Sequence, residues 1–187
     1  VDTAQFAPKR IAHERFTFVS AGNLIPVKNM AELLHAFAAL HGEPRLIIFG
    51  DGPESGALRA LCAELGLYSR VSFRGHCPRE KLAEAYAADC FVLASRSETF
   101  GVAYIEAMAA GLPVIATRCG GPEDFVTEEN GILIPVDDED ALTGAMEHMM
   151  LRREDYDSAA ISADIRRKFA PETIAARLTE LYEGVLS

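Results

Sequence analysis

Two carboxylates with seven residues between them, Glu98 and Glu106, flank the start of a segment that is otherwise almost wholly apolar, Val102-Ala-Tyr-Ile-Glu-Ala-Met-Ala109. A helix apolar on all sides is normally buried. Glu106, between Ile105 and Ala107, would then carry charge into a low-dielectric place, where it is costly unless paired or hydrogen-bonded. Upstream, residues 90–94, Cys-Phe-Val-Leu-Ala, read as a buried strand, so Glu98, Thr99, Phe100 and Gly101 make the turn from strand end to helix start. In open α/β sheets ligands bind at such junctions. A third candidate is Lys28, just before Asn29-Met30-Ala31-Glu32, which resembles a capping box opening a helix with Met30, Leu33, Leu34, Phe37 and Leu40 on one face. An ammonium beside free N–H groups and the positive end of a helix dipole makes an anion site. A solvated surface lysine would stand at the same position. Paired carboxylates also serve glycoside hydrolysis, one as acid and the other as nucleophile or base, and spacing alone does not decide.

The elements that must position these residues alternate along the chain. Six β-rich runs, at 16–22, 45–49, 71–74, 90–94, 113–117 and 131–135, are separated by helical patterns, including one through Leu82 and Tyr86. This predicts an α/β fold, a parallel six-stranded sheet with helices on both faces. Gly50-Asp51-Gly52-Pro53 tempts a dinucleotide-binding reading, but the third glycine, Gly56, falls one residue late and no acidic residue follows the third run where a ribose would need one. A tight turn requiring glycine dihedrals is the better account. His76, at the end of that run, could stack on a base or be structural. Gly120-Gly121-Pro122-Glu123-Asp124 reads as a flexible turn with proline near the start of a short acidic-led helix. The tail carries an apolar stripe of Ile174, Leu178, Leu181 and Val185. Its basic cluster, Arg152, Arg153, Arg166, Arg167 and Lys168, is expected on a solvated face, with anionic lipid or acceptor as the alternative contact.

Composition bounds the function. A chain of 187 residues, 49% hydrophobic, is one domain or one with a small appendage. A net charge of -10 argues against a domain that holds nucleic acid by neutralising phosphates, though not against a nucleotide held by backbone amides. The cysteines, Cys62, Cys77, Cys90 and Cys119, form no C-x-x-C pair and have no histidine at metal-ligand spacing, so free thiols in a reducing compartment and no metal are expected. No run has the length of a membrane span and no signal architecture opens the chain, so a soluble cytoplasmic protein is expected.

The motifs converge as a set. Ser95-x-x-Glu98-x-Phe100-Gly101-x4-Glu106-Ala107-Met108-Ala109-x-Gly111-x-Pro113-Val114, with Ala21-Gly22-x-Leu24, Lys28, Gly50-Asp51-Gly52-Pro53, Val71-x-Phe73-x-Gly75, Gly120-Gly121 and residues 131–135, closely resembles the nucleotide-sugar-binding half of retaining glycosyltransferases of the Glu-x7-Glu group, glycosyl transferases group 1. That family's GT-B fold sets two Rossmann-like domains face to face. The resemblance implies a metal-independent transfer of a hexose from a nucleoside-diphosphate sugar to an acceptor, as in polysaccharide biosynthesis, with no cofactor. It implies an interdomain linker over 1–15, a donor-binding domain over 16–151 and helices over 152–187 that pack back toward an N-terminal acceptor-binding domain. This chain alone is then expected to be inactive, and the full-length enzyme to be cytoplasmic with room for a peripheral membrane contact. By the same resemblance, Glu106 would accept from ribose hydroxyls, Glu98 would hold a hydroxyl of the transferred sugar, the amides of Phe100 and Gly101 would touch its other oxygens, and Lys28 would neutralise the diphosphate. Glu98 and Lys28 are thus the expected catalytic pair. One departure stands out: the usual Gly-Arg-Leu reads Gly22-Asn23-Leu24, which removes a charge near the phosphates. Asn23 leaves open a sugar-nucleotide-binding or regulatory module without turnover. A nicotinamide-dinucleotide domain is a more distant alternative.

Overall fold

The β-branched and aromatic runs form strands, and the inner ones are apolar on both faces. In the computed structural model, which describes residues 6, 14–78 and 85–186, the strands are β1 (Thr17–Ala21), β2 (Arg45–Phe49), β3 (Val71–Gly75), β4 (Cys90–Leu93), β5 (Val114–Thr117) and β6 (Gly131–Ile134). All pairings are parallel, in the order β3-β2-β1-β4-β5-β6. Every residue of β1, β4 and β5 is buried, whereas β3 and β6, at the edges, are only partly so. Continuous burial of the inner strands is what a parallel sheet covered on both faces requires.

The α-helices among the described residues are α1 (Met30–Ala39), α2 (Ser55–Glu64), α3 (Val102–Ala109), α4 (Glu139–Arg152), α5 (Ser158–Phe169) and α6 (Pro171–Leu186). α1 packs against α2 and α4, and α3 packs against α5. The α/β fold with a six-stranded parallel sheet is therefore as the alternating pattern predicts. The core centres on Phe18, Phe37, Phe91, Tyr104 and Met146. Among the described residues no helix is long and apolar enough to cross a membrane. Of the expected linker over 1–15 only Phe6, Glu14 and Arg15 are described; Phe6 is buried edge-on against Tyr86. The helix expected through Leu82, and the side chains of Leu178, Leu181 and Val185, lie outside the described residues.

Two readings need correction. The basic cluster is not one solvated face: Arg153 is buried, where its guanidinium donates to the carbonyls of Asp89 (2.6 Å) and Tyr156 (3.0 Å) and to Ser158 Oγ (2.8 Å). It satisfies chain reversals that would otherwise leave buried acceptors unpaired. Arg152 is paired with Asp155, and Arg167 and Lys168 with Asp164. The second correction concerns Asn29, whose backbone is left-handed (φ 50°) and whose side chain does not cap α1. Its amide instead donates to the Glu32 carboxylate.

Candidate functional site

In this strand order the chain direction across the sheet reverses between β1 and β4, and the crevice outside the carboxyl ends of those strands is the usual ligand position. Two lips border it. From β1 the chain runs through Gly22 and Asn23 into a single 3-10 turn, Pro26–Lys28; from β4 it runs through Ser95 to Gly101, where α3 begins. The lips touch, since the Arg96 N–H donates to the Val27 carbonyl at 2.8 Å.

That contact brings two sequence candidates together. Lys28 Nζ lies 2.5 Å from Glu98 Oε1, with side chains 19% and 11% exposed. Ser95 Oγ donates to the same oxygen at 2.8 Å. Among the described residues nothing donates to Oε2, which leaves that oxygen for a ligand. Ser95 is itself fully buried and fixed, as Thr117 Oγ1 donates to its carbonyl, while the Tyr104 hydroxyl donates to the Leu93 carbonyl at 2.7 Å. Ser95 thus orients Glu98, a role that its place three residues upstream could have suggested.

Main-chain contacts hold each lip. Gly120, at φ 112°, lies against Glu98: a Cβ there would come 2.8 Å from the Glu98 carbonyl oxygen. The Glu98 N–H donates to Cys119 O at 3.1 Å, and the Gly121 N–H to Glu98 O at 2.7 Å. On the other side, Gly50 at φ 133° presses so closely on the first lip that a Cβ would fall 1.8 Å from Gly22 O. The Leu24 N–H donates to Asp51 O at 2.9 Å, and Glu54 N–H to Leu24 O at 3.1 Å. The 50–53 turn therefore braces the β1 lip.

The remaining candidates stand around this pair. Asn23 is exposed. Gly101, at φ 81°, precedes the first residue of α3, and the N–H groups of Phe100 and Gly101 donate to no protein acceptor among the described residues. They are free to meet ligand oxygens at a helix start. The Phe100 ring is 45% exposed and packs edge-on against Phe169. Glu106 is 7% exposed on α3, where the Tyr86 hydroxyl donates to its Oε2 at 3.3 Å. Burial raises the Tyr86 pKa well above the ordinary phenol value, and the charge and hydrogen bond of Glu106 add to this, so Tyr86 remains a neutral donor. By sequence Tyr86 reads only as a helix residue, and nothing in its spacing links it to Glu106. His76 is exposed after β3, and among the described residues no hydrogen bond or ion pair joins it to Lys28 or Glu98.

Burial also raises the Cys119 thiol, which sets this neighbour of Glu98 against thiolate chemistry. Among the described residues no group of three or more His, Cys, Asp or Glu side chains is disposed to hold a metal ion. An open groove of about 840 Å³ runs beside β6, between Arg118 and His148, but Lys28, Glu98 and Glu106 do not line it. Lys28 and Glu98 meet instead at the crevice between β1 and β4.

Fold and crevice together define a family, and the chain belongs to it: the model described as glycosyl transferases group 1 matches residues 1–165. Among its relatives is a GDP-mannose-dependent alpha-mannosyltransferase of Mycobacterium tuberculosis (strain CDC 1551 / Oshkosh), 35% identical over 167 residues, 88% of this chain and 42% of that protein. An N-acetyl-alpha-D-glucosaminyl L-malate synthase of Bacillus anthracis is 30% identical over 94% of the chain and 47% of its own length. The sucrose-phosphate synthase structure from Thermosynechococcus elongatus superposes with a TM-score of 0.87 at 27% identity, covering all of this chain and 51% of that one. HepE of Anabaena, solved with UDP and glucose, gives 0.85 at 22% identity over 98% of this chain and 55% of its own, a likeness of fold. The chain spans about half or less of the length of these relatives.

Proposed function

We propose that the crevice between β1 and β4 binds a nucleoside-diphosphate sugar, and that the chain is the donor-binding half of a retaining, metal-independent glycosyltransferase. The acceptor would be held by an N-terminal domain. The observation that carries this reading is the Lys28–Glu98 pair at the sheet's switch point, an ammonium and a carboxylate 2.5 Å apart beside the free amides of a helix start. The GDP-mannose-dependent relative supports the ligand class.

The chemistry follows from the charges. Transfer breaks the bond between the anomeric carbon and the diphosphate oxygen, leaving positive character on the sugar and negative charge on the leaving group. A cation aimed at the departing phosphates stabilises that transition state. Lys28 supplies it. A diphosphate that draws Lys28 toward itself releases Glu98 Oε1 to join Oε2 in accepting from a sugar hydroxyl, so the resting contact holds both side chains in place until the donor arrives. Glu106, kept in place by Tyr86, accepts from the ribose, and the Phe100 and Gly101 amides meet the sugar's other oxygens. Asn23 favours a second reading, a binding module without turnover. It can donate only a neutral hydrogen bond where the family commonly has arginine, and charge-assisted bonds are about twice as strong. Sugar transfer by the full-length chain decides between the two.

Calorimetric titration of this chain with uridine, guanosine and adenosine diphosphate sugars tests the ligand class. Binding of at least one is expected, weakened about tenfold by Lys28→Ala, the worth of one charge-assisted bond. Failure of all three to bind would remove the proposal.

A further inference from the structure

Lys28 is useful only if its turn is held against the β4 lip, and the structure carries a device for that which the family motif does not contain. Asp137, in the loop after β6, stands at φ 54°, and Asn29, the residue after Lys28, at φ 50°. Left-handed backbone is uncommon outside glycine, though Asn and Asp adopt it most readily. These are the two such non-glycine residues among those described, and they meet: Asn29 Nδ2 donates to Asp137 Oδ1 at 3.2 Å. The second hydrogen of the same amide goes to Glu32. Two carboxylate neighbours require the nitrogen, not the oxygen, on that side.

Arg96, from the opposite lip, donates through Nε to Asp137 Oδ1 at 2.7 Å and through Nη1 to the Pro26 carbonyl at 3.3 Å. One carboxylate oxygen thus takes a bond from each lip, on the two sides of the crevice that Lys28 and Glu98 span. We propose that Asp137 is a positioning residue: it clasps Asn29 to Arg96 and so holds the Pro26–Lys28 turn where the Lys28 ammonium reaches the diphosphate. The clasp lies some forty positions downstream of Glu98 in sequence, which is why no local motif reveals it. Its bearing on ligand binding rests on the donor reading above; its hold on the turn does not.

Two substitutions separate side chain from backbone. Asp137→Gly accepts the left-handed conformation without strain and removes the carboxylate together with its Cβ. Asp137→Asn keeps an acceptor for Asn29 and loses the charge facing Arg96. Amide hydrogen exchange in the ligand-free chain is the first measurement. Because the Arg96–Asp137 pair is exposed, its loss is expected to speed exchange at Lys28, Asn29 and Arg96 about fivefold in Asp137→Gly, with strand β1 unchanged and a smaller rise in Asp137→Asn. The second is calorimetric titration with uridine and guanosine diphosphates. Asp137→Gly is expected to weaken binding about fivefold in the native background and not at all in Lys28→Ala. Unchanged exchange at the three amides overturns the clasp. An equal loss with and without Lys28 shows that Asp137 does not act through that lysine, and overturns the positioning role. If the unsubstituted chain binds no nucleoside diphosphate, the donor reading fails and exchange alone decides the clasp.

Discussion

Replacing Lys28 by methionine tests whether the short contact with Glu98 is an energetic bond or an accident of packing. At an effective dielectric of about 20, unit charges 2.5 Å apart attract by roughly 7 kcal/mol before any desolvation cost is subtracted. The side chains are 19% and 11% exposed, so most of that attraction is offset by water removed from both groups. Exposed pairs are worth below about 1 kcal/mol, and breaking buried ones costs about 3–5 kcal/mol. An intermediate coupling of about 2 kcal/mol is expected. Lys28→Met leaves Glu98 with Ser95 as its remaining donor among the described residues, and Glu98→Gln leaves the ammonium without its counter-charge. Each single variant should lose stability to urea, and the double variant should lose about 2 kcal/mol less than the two losses added together. For a chain this size each kcal/mol moves Tm by about 2–4 °C, so the coupling is measurable by thermal melts as well. Saturating nucleoside diphosphate should shrink the coupling, because the phosphates then hold the lysine. Additive single losses in the ligand-free chain would refute the pairing argument.

Further outcomes follow from the same geometry. Glu106→Ala should weaken a bare nucleoside diphosphate and its sugar conjugate alike, about tenfold to a hundredfold, whereas Glu98→Ala should weaken the sugar conjugate and leave the bare diphosphate unchanged or tighter; calorimetry of both variants with both ligands decides, and parallel losses would sink the division of labour. Gly50→Ala should cost at least about 3 kcal/mol, because the new Cβ meets main chain that cannot step aside, while Gly42→Ala, at φ 82° with open space around it, should cost about 1 kcal/mol; similar urea midpoints would contradict the brace. Burial raises the Glu32 carboxyl above its ordinary 4.5, with Asn29 opposing and Asp137 adding to the shift. Since the folded chain then holds this proton more tightly than the unfolded one, stability should fall as pH rises from about 4.5 through the raised value. Urea midpoints measured across that window should decline more steeply for the native chain than for Glu32→Gln, and parallel curves would exclude Glu32 as the cause.

The strands were legible because the inner strands of a parallel sheet are buried on both faces and must be apolar without interruption. Residues 45–49 match β2, and the other five runs differ from the observed strands by a single residue at one or both ends. The Glu98 turn was legible for a related reason: a carboxylate between a buried strand and an apolar helix has few structural uses. What stayed hidden depends on contacts between distant segments. Asn29 before an amphipathic run reads as a helix cap. In the fold, the preceding 3-10 turn sends it left-handed, and its side chain finds Glu32 and Asp137. Arg153 reads as one charge in a basic tail until the carbonyls of Asp89 and Tyr156 are seen converging on it. The Tyr86–Glu106 bond likewise joins segments that no period connects.

The close approach of Gly50 to Gly22, and of Gly120 to Glu98, has a consequence for descent as well as for stability. Main-chain atoms at these two glycines brace both lips, and the side chains of Asp137, Arg96 and Ser95 add bonds to that frame. Exposed positions such as Asn23, Thr99 and Val102 can therefore be exchanged without redrawing the frame. A lineage can change what it recognises one substitution at a time while the glycines keep the same walls standing.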